Sequence, residues 1–293
     1  MSQTIYVYVG TDASQMLACS VLEHSIARHT DATVEVIPML DLPIPLPKDP
    51  SNYPRTGFSF ARFCIPKLAG YQGKAIYMDA DMMVFQDIKG LWNLPMNGAK
   101  IMIQSEQNIR GSHGQTKKKR QCSVMLMDCA ALDWDVHQIV NDLDNQRYTY
   151  SELMSELCIL PDASISTDLP DTWNHLDQKR DDTCLLHFTN MHRQPWMSPL
   201  HPLAETWFDE VRLMLDNGSL TWARIQRDID QGYLRPSLIR DIQNGHKWPR
   251  GLRWLFNYYN QASDYLKGYR KHKVFYQLLE QSRAASRKVN QAV

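Results

Sequence analysis

The residues best equipped for chemistry lie where an apolar stretch runs into acid: Ala75-Ile76-Tyr77-Met78-Asp79-Ala80-Asp81. A strand ending in carboxylates at i and i+2 places negative charge at the edge of a sheet. Side chains alternate along a strand, so the two acids converge on one object only where the chain turns between them. A divalent cation with hard oxygen ligands would offset that crowding. The bland counterpart is a solvated turn after a strand, and a lone D-x-D is compatible with both.

The elements that must position this pair can be read on either side of it. Ile5 to Val9 reads as a buried strand ending at Gly10-Thr11-Asp12. From Ser14 to Arg28 the spacing is helical, with Met16, Cys19, Leu22 and Ile26 on one face. Thr33 to Ile37 is a second strand, and this strand–helix–strand opening predicts an α/β fold with a mainly parallel sheet. Ligands of such sheets lie beyond the carboxyl ends of the strands, which puts Thr11 and Asp12 at a ligand edge. Leu42 to Pro54 holds five prolines and reads as a loop. Gly57 to Leu68 reads as a helix with Phe60, Phe63, Cys64 and Leu68 inward. Lys74 to Met78 is the strand that delivers Asp79 and Asp81. Further strands are expected at Ile101–Ile103, Ser123–Met127 and Cys184–Phe188, and helices at Leu132–Leu143 and Glu152–Leu157. A polar loop carries Lys117-Lys118-Lys119-Arg120. Beyond Pro199 the pattern is helical.

Composition bounds the classes available. The 293 residues carry 32 Lys+Arg and 32 Asp+Glu, with 43% hydrophobic and 22% charged residues, which excludes a disordered tail protein or a collagenous one. The balance hides an asymmetry. From His246 onward ten basic residues face only Asp264 and Glu280, a net of +8, which leaves −8 for the rest. Trp248, Trp254, Tyr258 and Tyr259 are interleaved with that charge, which suits an element lying on anionic lipid. No nucleic-acid-binding motif accompanies it, and no nucleic-acid partner is expected. The six cysteines form no C-x-x-C pair and read as free thiols. No apolar run approaches the length of a membrane span, and the amino terminus lacks the pattern of a secretory signal. The expectation is a cytoplasmic protein, peripheral on a membrane through its basic region.

Context sharpens the acidic pair. Tyr77-Met78-Asp79-Ala80-Asp81-Met82-Met83-Val84, preceded by Arg62 within Phe58-Ser59-Phe60-Ala61-Arg62-Phe63, resembles the D-x-D region of GT-A glycosyltransferases of family 8. Gly10-Thr11-Asp12, Leu169-Pro170-Asp171-Thr172-Trp173-Asn174, and His187-Phe188-Thr189-Asn190 with Pro195-Trp196 are similar to further landmarks of that family, in the same order. The resemblance runs from residue 4 to 196. It implies a GT-A, Rossmann-like catalytic domain over 1–200 followed by a helical region over 201–293, basic and aromatic from about 246. It implies that Asp79, Asp81 and His187 hold Mn²⁺ (or Mg²⁺), with Arg62 near the diphosphate of a UDP-sugar and Asp12 and Thr11 at the uracil. It also implies transfer of the sugar, with retention, to a hydroxyl of a glycan or glycolipid acceptor.

The sugar-side positions depart from the family pattern. The phosphate-gripping lysine before Pro-Trp is replaced by Arg193 or Gln194 with one extra residue in the spacing, and charge favours Arg193. Asn190 stands where the family has glycine. Gln121 occupies the place of a sugar-contacting Asn, Glu106 that of a sugar-binding acid, and Glu152 part of a segment near the reacting carbon. Gln121 and Glu152 are therefore the residues expected to orient the sugar. Two other readings compete: a non-catalytic nucleotide-sugar or glycan-binding protein, and a haloacid-dehalogenase-type phosphatase using Asp79 and Asp81. The phosphatase motif wants Thr or Val where Met83 stands, and it normally opens its fold.

Overall fold

The computed structural model describes residues 4–105, 120–244, 252–271 and 273–292. Strand β1 (Ile5–Gly10) leads through a short turn into α1 (Met16–His29) and β2 (Val34–Met39). After a proline-rich loop come α2 (Ile65–Leu68), β3 (Lys74–Asp79), β4 (Met82–Val84) and α3 (Lys89–Trp92). Strands β5 (Ile101–Ser105) and β6 (Arg120–Asp128) precede α4 (Val136–Asp144), then the short β7 (Ile165–Ser166), β8 (His175–Leu176) and β9 (Leu185–His187). Five helices follow among the described residues: α5 (Ala204–Asp216), α6 (Trp222–Asp230), α7 (Leu238–Asn244), α8 (Arg253–Leu266) and α9 (Lys273–Ala292).

Six strands form one sheet in the order β2-β1-β3-β6-β5-β7, and β4-β9-β8 form a second, smaller one. β1 pairs in parallel with β2 and β3, and β5 with β7, while β6 runs antiparallel to β3 and β5. The sheet is thus mixed, with the parallel half at the end that carries the ligand edge. Alternation along β3 divides its side chains between two cores: Ala75 and Tyr77 on one face, Ile76 and Met78 on the other. Burial on both faces explains why β1 and β3 read as nearly continuous apolar runs. A third core joins Leu17 and Val21 of α1 and Met83 of β4 to Trp196, Trp207, Phe208 and Val211. Helices α5, α6 and α7 therefore pack against α1 and the small sheet.

Several expectations change in detail. Gly57 to Leu68 is not one helix: turns lead into a 3-10 turn, Ala61–Cys64, and only then into α2. Pro66 has no N–H to give to the carbonyl of Arg62, so an α-helical ladder cannot run through it. Leu68, expected inward, is 47% exposed because the helix ends there. α4 starts four residues later than expected, at the point where Asp135 caps it by accepting from the N–H groups of His137 and Gln138. Glu152–Glu156 is a single π-helical turn closed by Leu157 in the left-handed region. Of the six thiols, Cys19, Cys122 and Cys129 are buried and Cys158 is exposed. Among the described residues no helix is long and apolar enough to cross a membrane.

Candidate metal and nucleotide site

The turn that the acidic pair requires is present. β3 ends at Asp79, the N–H of Ala80 donates to the carbonyl of Gly10 (3.1 Å), and the chain leaves the large sheet to enter the small one as β4. There Met82 pairs with His187, and the N–H of Phe188 donates to the carbonyl of Asp81 (2.8 Å). Asp79, Asp81 and His187 thereby offer three ligand atoms that all lie within 4.8 Å of one another. The corner exists because the chain changes sheets between the two aspartates.

Each ligand is held from behind. Tyr77 lies on the same face of β3 as Asp79, two residues away, and its hydroxyl donates to Asp79 Oδ1 (2.6 Å). The buried guanidinium of Arg62 donates to Tyr77 Oη (3.1 Å) and to the carbonyl of Cys122 (2.7 Å), stacks on the Tyr77 ring, and lies 3.9 Å from Asp79 Oδ1. Gln194, 1% exposed, donates from Nε2 to Asp81 Oδ2 (2.7 Å) and to the carbonyl of Phe188 (3.2 Å). Asn174 donates to Ser123 Oγ (3.1 Å), which turns its Oδ1 toward His187 Nδ1 (3.1 Å). That network assigns the imidazole proton to Nδ1 and leaves the Nε2 lone pair facing Asp81.

Burial and like charge set the electrostatics of the corner. Burial raises the Asp79 carboxyl above its ordinary value, Arg62 opposes the shift, and Asp81 adds to it. Burial alone would lower His187, yet the carboxylates of Asp81 and Asp79 outweigh it and raise the imidazole. Asp81 Oδ1 is buried and has no aligned donor, although His187 Nε2 lies 3.1 Å away. A cation between His187 Nε2 and Asp81 Oδ1 would take the place of the proton that the raised imidazole holds toward that oxygen. Two carboxylates and one imidazole suit Mn²⁺ or Mg²⁺, so the residues present fit the expected ion.

A cavity of about 350 Å³ opens beyond the carboxyl ends of β1 and β2, lined by Thr11, Asp12, Leu40, Asp41 and Phe60. Asp12 caps the following turn, accepting from Ser14 N (2.9 Å) and Ser14 Oγ (2.6 Å). Burial raises its carboxyl, and the Ser14 hydrogen bonds moderate the rise. Arg62 follows directly on Phe60 and Ala61 of the cavity wall, so the cavity and the metal corner are adjoining.

The remaining predicted residues are placed as follows. Arg193 is exposed, near Lys271 and His201, and it is Gln194 that reaches Asp81. Asn190 is exposed and accepts from His192 N (3.2 Å). Gln121 pairs with Gln104 across β6 and β5. Glu152 turns its carboxylate back on Thr149, accepting from its N–H (2.8 Å) and hydroxyl (2.9 Å). Glu106 and Lys117–Lys119 lie outside the described residues. Sequence reasoning gave no role to Tyr77 and Asn174. Tyr77 could have been found from its i, i+2 relation to Asp79; Asn174 could not, because its contact with His187 is made across the small sheet.

Comparison with solved structures identifies the fold as that of GT-A glycosyltransferases. The galactosyltransferase LgtC, in complex with donor and acceptor sugar analogs, superposes with a TM-score of 0.53 over 74% of this chain and 96% of that one, at 12% identity. The apo form of the glycosyltransferase GlyE from Streptococcus pneumoniae TIGR4 gives 0.52 over 79% of this chain and 64% of that one, at 17% identity. The apo bifunctional glycosyltransferase WbbM gives 0.51 over 72% and 50%, at 12% identity. The family follows from sequence: a profile described as glycosyl transferase family 8 matches residues 12–160. The chain belongs to that family. Protein CDI of Arabidopsis thaliana is 34% identical over 92 residues, which are 30% of this chain and 36% of that protein. The chain thus matches about a third of the length of this curated relative and half that of WbbM.

Proposed function

We propose that the chain moves a sugar from a UDP-sugar to a hydroxyl of a glycan or glycolipid, with retention at the anomeric carbon. The observation that carries this reading is the corner itself. In a chain of family 8, two aspartates and a histidine brought within 4.8 Å, one carboxylate oxygen unsatisfied, are a metal site beside a nucleoside-sized cavity. Bound there, Mn²⁺ or Mg²⁺ would neutralise the charge that develops on a departing diphosphate.

The protein's own share is positioning. Tyr77 and Arg62 hold Asp79, Gln194 holds Asp81, and Asn174 keeps the His187 Nε2 lone pair free. Such partners fix the orientation of the groups that bind. Thr11 and Asp12 receive the uracil, and Arg193 and Asn190 stand on the diphosphate side. Gln121, Glu152 and Glu106 orient the sugar. No protein nucleophile is required: on the front face, the departing phosphate oxygen accepts the proton of the acceptor hydroxyl, so orientation and charge stabilisation do the catalysis.

The acceptor is presented at an anionic membrane surface, on the cytoplasmic face. In support, α8 exposes Trp254, Leu255, Tyr258, Tyr259, Tyr265 and Leu266, with basic residues at both its ends. The test is UDP release from a panel of UDP-sugars with Mn²⁺, with and without EDTA, for wild type and Asp81→Ala. EDTA-sensitive release from one donor, absent in the variant, is the expected result and names the sugar. UDP binding without release from any donor, acceptors included, would favour the nucleotide-sugar-binding reading. Absence of UDP binding would sink the proposal.

A further inference from the structure

The basic helix α9 does not extend away from the body. It lies across the mouth of the cavity beside Thr11 and Asp12. Asn290 fastens one end, donating to the carbonyl of Leu46 (2.7 Å) and accepting from its N–H (3.1 Å). About two turns earlier, Arg283 donates to the carbonyl of Pro54 (3.1 Å) and lies over the Tyr53 ring, and Ser282 Oγ approaches the carbonyl of Gly57 at 3.4 Å. Leu279 is buried beneath the helix. Side chains of α9 thus bond to backbone of the proline-rich loop at three places, holding one face of the helix toward β1.

That face is unusual for a helix packed on a domain. Leu278, Gln281, Ser282, Ala285 and Ser286 line the cavity, at the i, i+3, i+4, i+7, i+8 spacing of a single helical stripe. A stripe that merely closed a core would carry Leu, Ile or Phe and would fill the space. Here the residues beyond Leu278 are small or polar, and about 350 Å³ stays open between them and Asp12. The volume falls in the range of small-molecule sites. The opposing walls are the strand ends, where an α/β sheet binds its ligand. The cavity is bounded on one side by a buried-side carboxylate and on the other by an amide and two hydroxyls, a lining that matches a nucleobase with both donors and acceptors on its edge.

We propose that α9 is a wall of the nucleoside pocket, and that Gln281, Ser282 and Ser286 set which base of a nucleoside diphosphate fits there. This rests on the donor reading above and goes beyond it, since it assigns specificity to a helix some 270 residues from Asp12 in sequence. The small side chains at 282, 285 and 286 fix the depth of the pocket, and Gln281 offers both an N–H and a carbonyl to the base edge.

The test uses the full chain with Mn²⁺ and titrates UDP, CDP, GDP and ADP by calorimetry into wild type, Ser286→Phe, Gln281→Ala and Arg287→Leu. Arg287 follows Ser286 but is displaced by about 100° around the helix, facing away from the centre of the stripe. Ser286→Phe should fill the pocket and weaken UDP at least about tenfold. Manganese binding, read by electron paramagnetic resonance, and melting temperature should both stay at wild-type values. Gln281→Ala should narrow the preference for UDP over CDP, and Arg287→Leu should leave every affinity unchanged. Should Ser286→Phe fail to fold, the Gln281→Ala ratio decides. Wild-type UDP affinity retained in Ser286→Phe, or an unchanged UDP-to-CDP ratio in Gln281→Ala, would overturn the wall alone. A wild type that binds none of the four nucleotides would overturn the donor reading and the wall with it.

Discussion

Two of the buried ionic clusters among the described residues are finished differently. At the metal corner, Asp79, Asp81, His187 and Arg62 lie close together, and the loose ends are a donor, Arg62 Nε, and an acceptor, Asp81 Oδ1. Around Arg235, between α7, α8 and the Pro195-Trp196 loop, every carboxylate oxygen is matched. Asp264 accepts from the N–H and the hydroxyl of Ser237, both at 2.7 Å, and Asp241 takes Arg235 on one oxygen and Asn260 Nδ2 on the other, both at 2.6 Å. The loose end there is a donor, Arg235 Nη2, which no cation could satisfy. A buried ionic cluster with matched acceptors is architecture, and one that leaves an acceptor bare is asking for a cation.

The contrast can be broken most forcefully on the architectural side. Arg235→Ala strips Asp241 of a partner in a dry setting and should cost about 3–5 kcal/mol in chemical denaturation. At the corner, Asp81→Ala should reduce UDP-sugar turnover at least about a hundredfold while the unfolding midpoint barely moves; a comparable loss of stability would mean that the two clusters do the same job. A smaller effect is expected from Asn174→Ala, which frees the His187 ring to flip: Mn²⁺ affinity should fall about tenfold to a hundredfold. An unchanged manganese titration would remove Asn174 from the site.

The smallest effect should be a gain. Because the folded carboxyl of Asp79 is raised, the folded chain holds a proton there that the unfolded chain has already released. Stability attributable to Asp79 therefore falls as pH rises above about 4 through the folded value, and the deficit is complete above that value. Metal-free Asp79→Asn should melt above metal-free wild type at pH 7, a rise of roughly 2–4 °C for each kcal/mol recovered, and the gap should close toward pH 4. A gap that is independent of pH would show that the carboxylate carries no such penalty.

Much of the metal corner was legible in the sequence because its determinants are local. Asp79 and Asp81 share five residues with the end of β3, and the β1 turn with Thr11 and Asp12 follows from one apolar run. In the Pro-Trp loop charge points to Arg193 as the phosphate-side residue, and it gives no hint of what Gln194 does beside it. Next to the Asp81 carboxylate, which already faces His187, a neutral amide supplies an N–H without adding another charge, and Gln194 does so. The path of α9 was illegible for a different reason. Its basic residues satisfy the pattern of a lipid-facing helix equally well, and what fixes its seat is the pairing of Asn290 with Leu46 and of Arg283 with Pro54. Those are contacts between side chains and loop backbone, which leave no periodic trace. Leu68 was lost to a single proline two residues before it.

The corner at Ala80 also has a mechanical meaning. Asp79 belongs to the large sheet, whereas His187 is the last residue of β9 in the small one. A cation gripping both would act as a rivet between two plates, added to the chain crossings, the Asn174–Ser123 hydrogen bond and the packing that already join them. The plates would then fray together, and amides at Met83 and Leu186 would exchange with solvent more slowly whenever the rivet is in place.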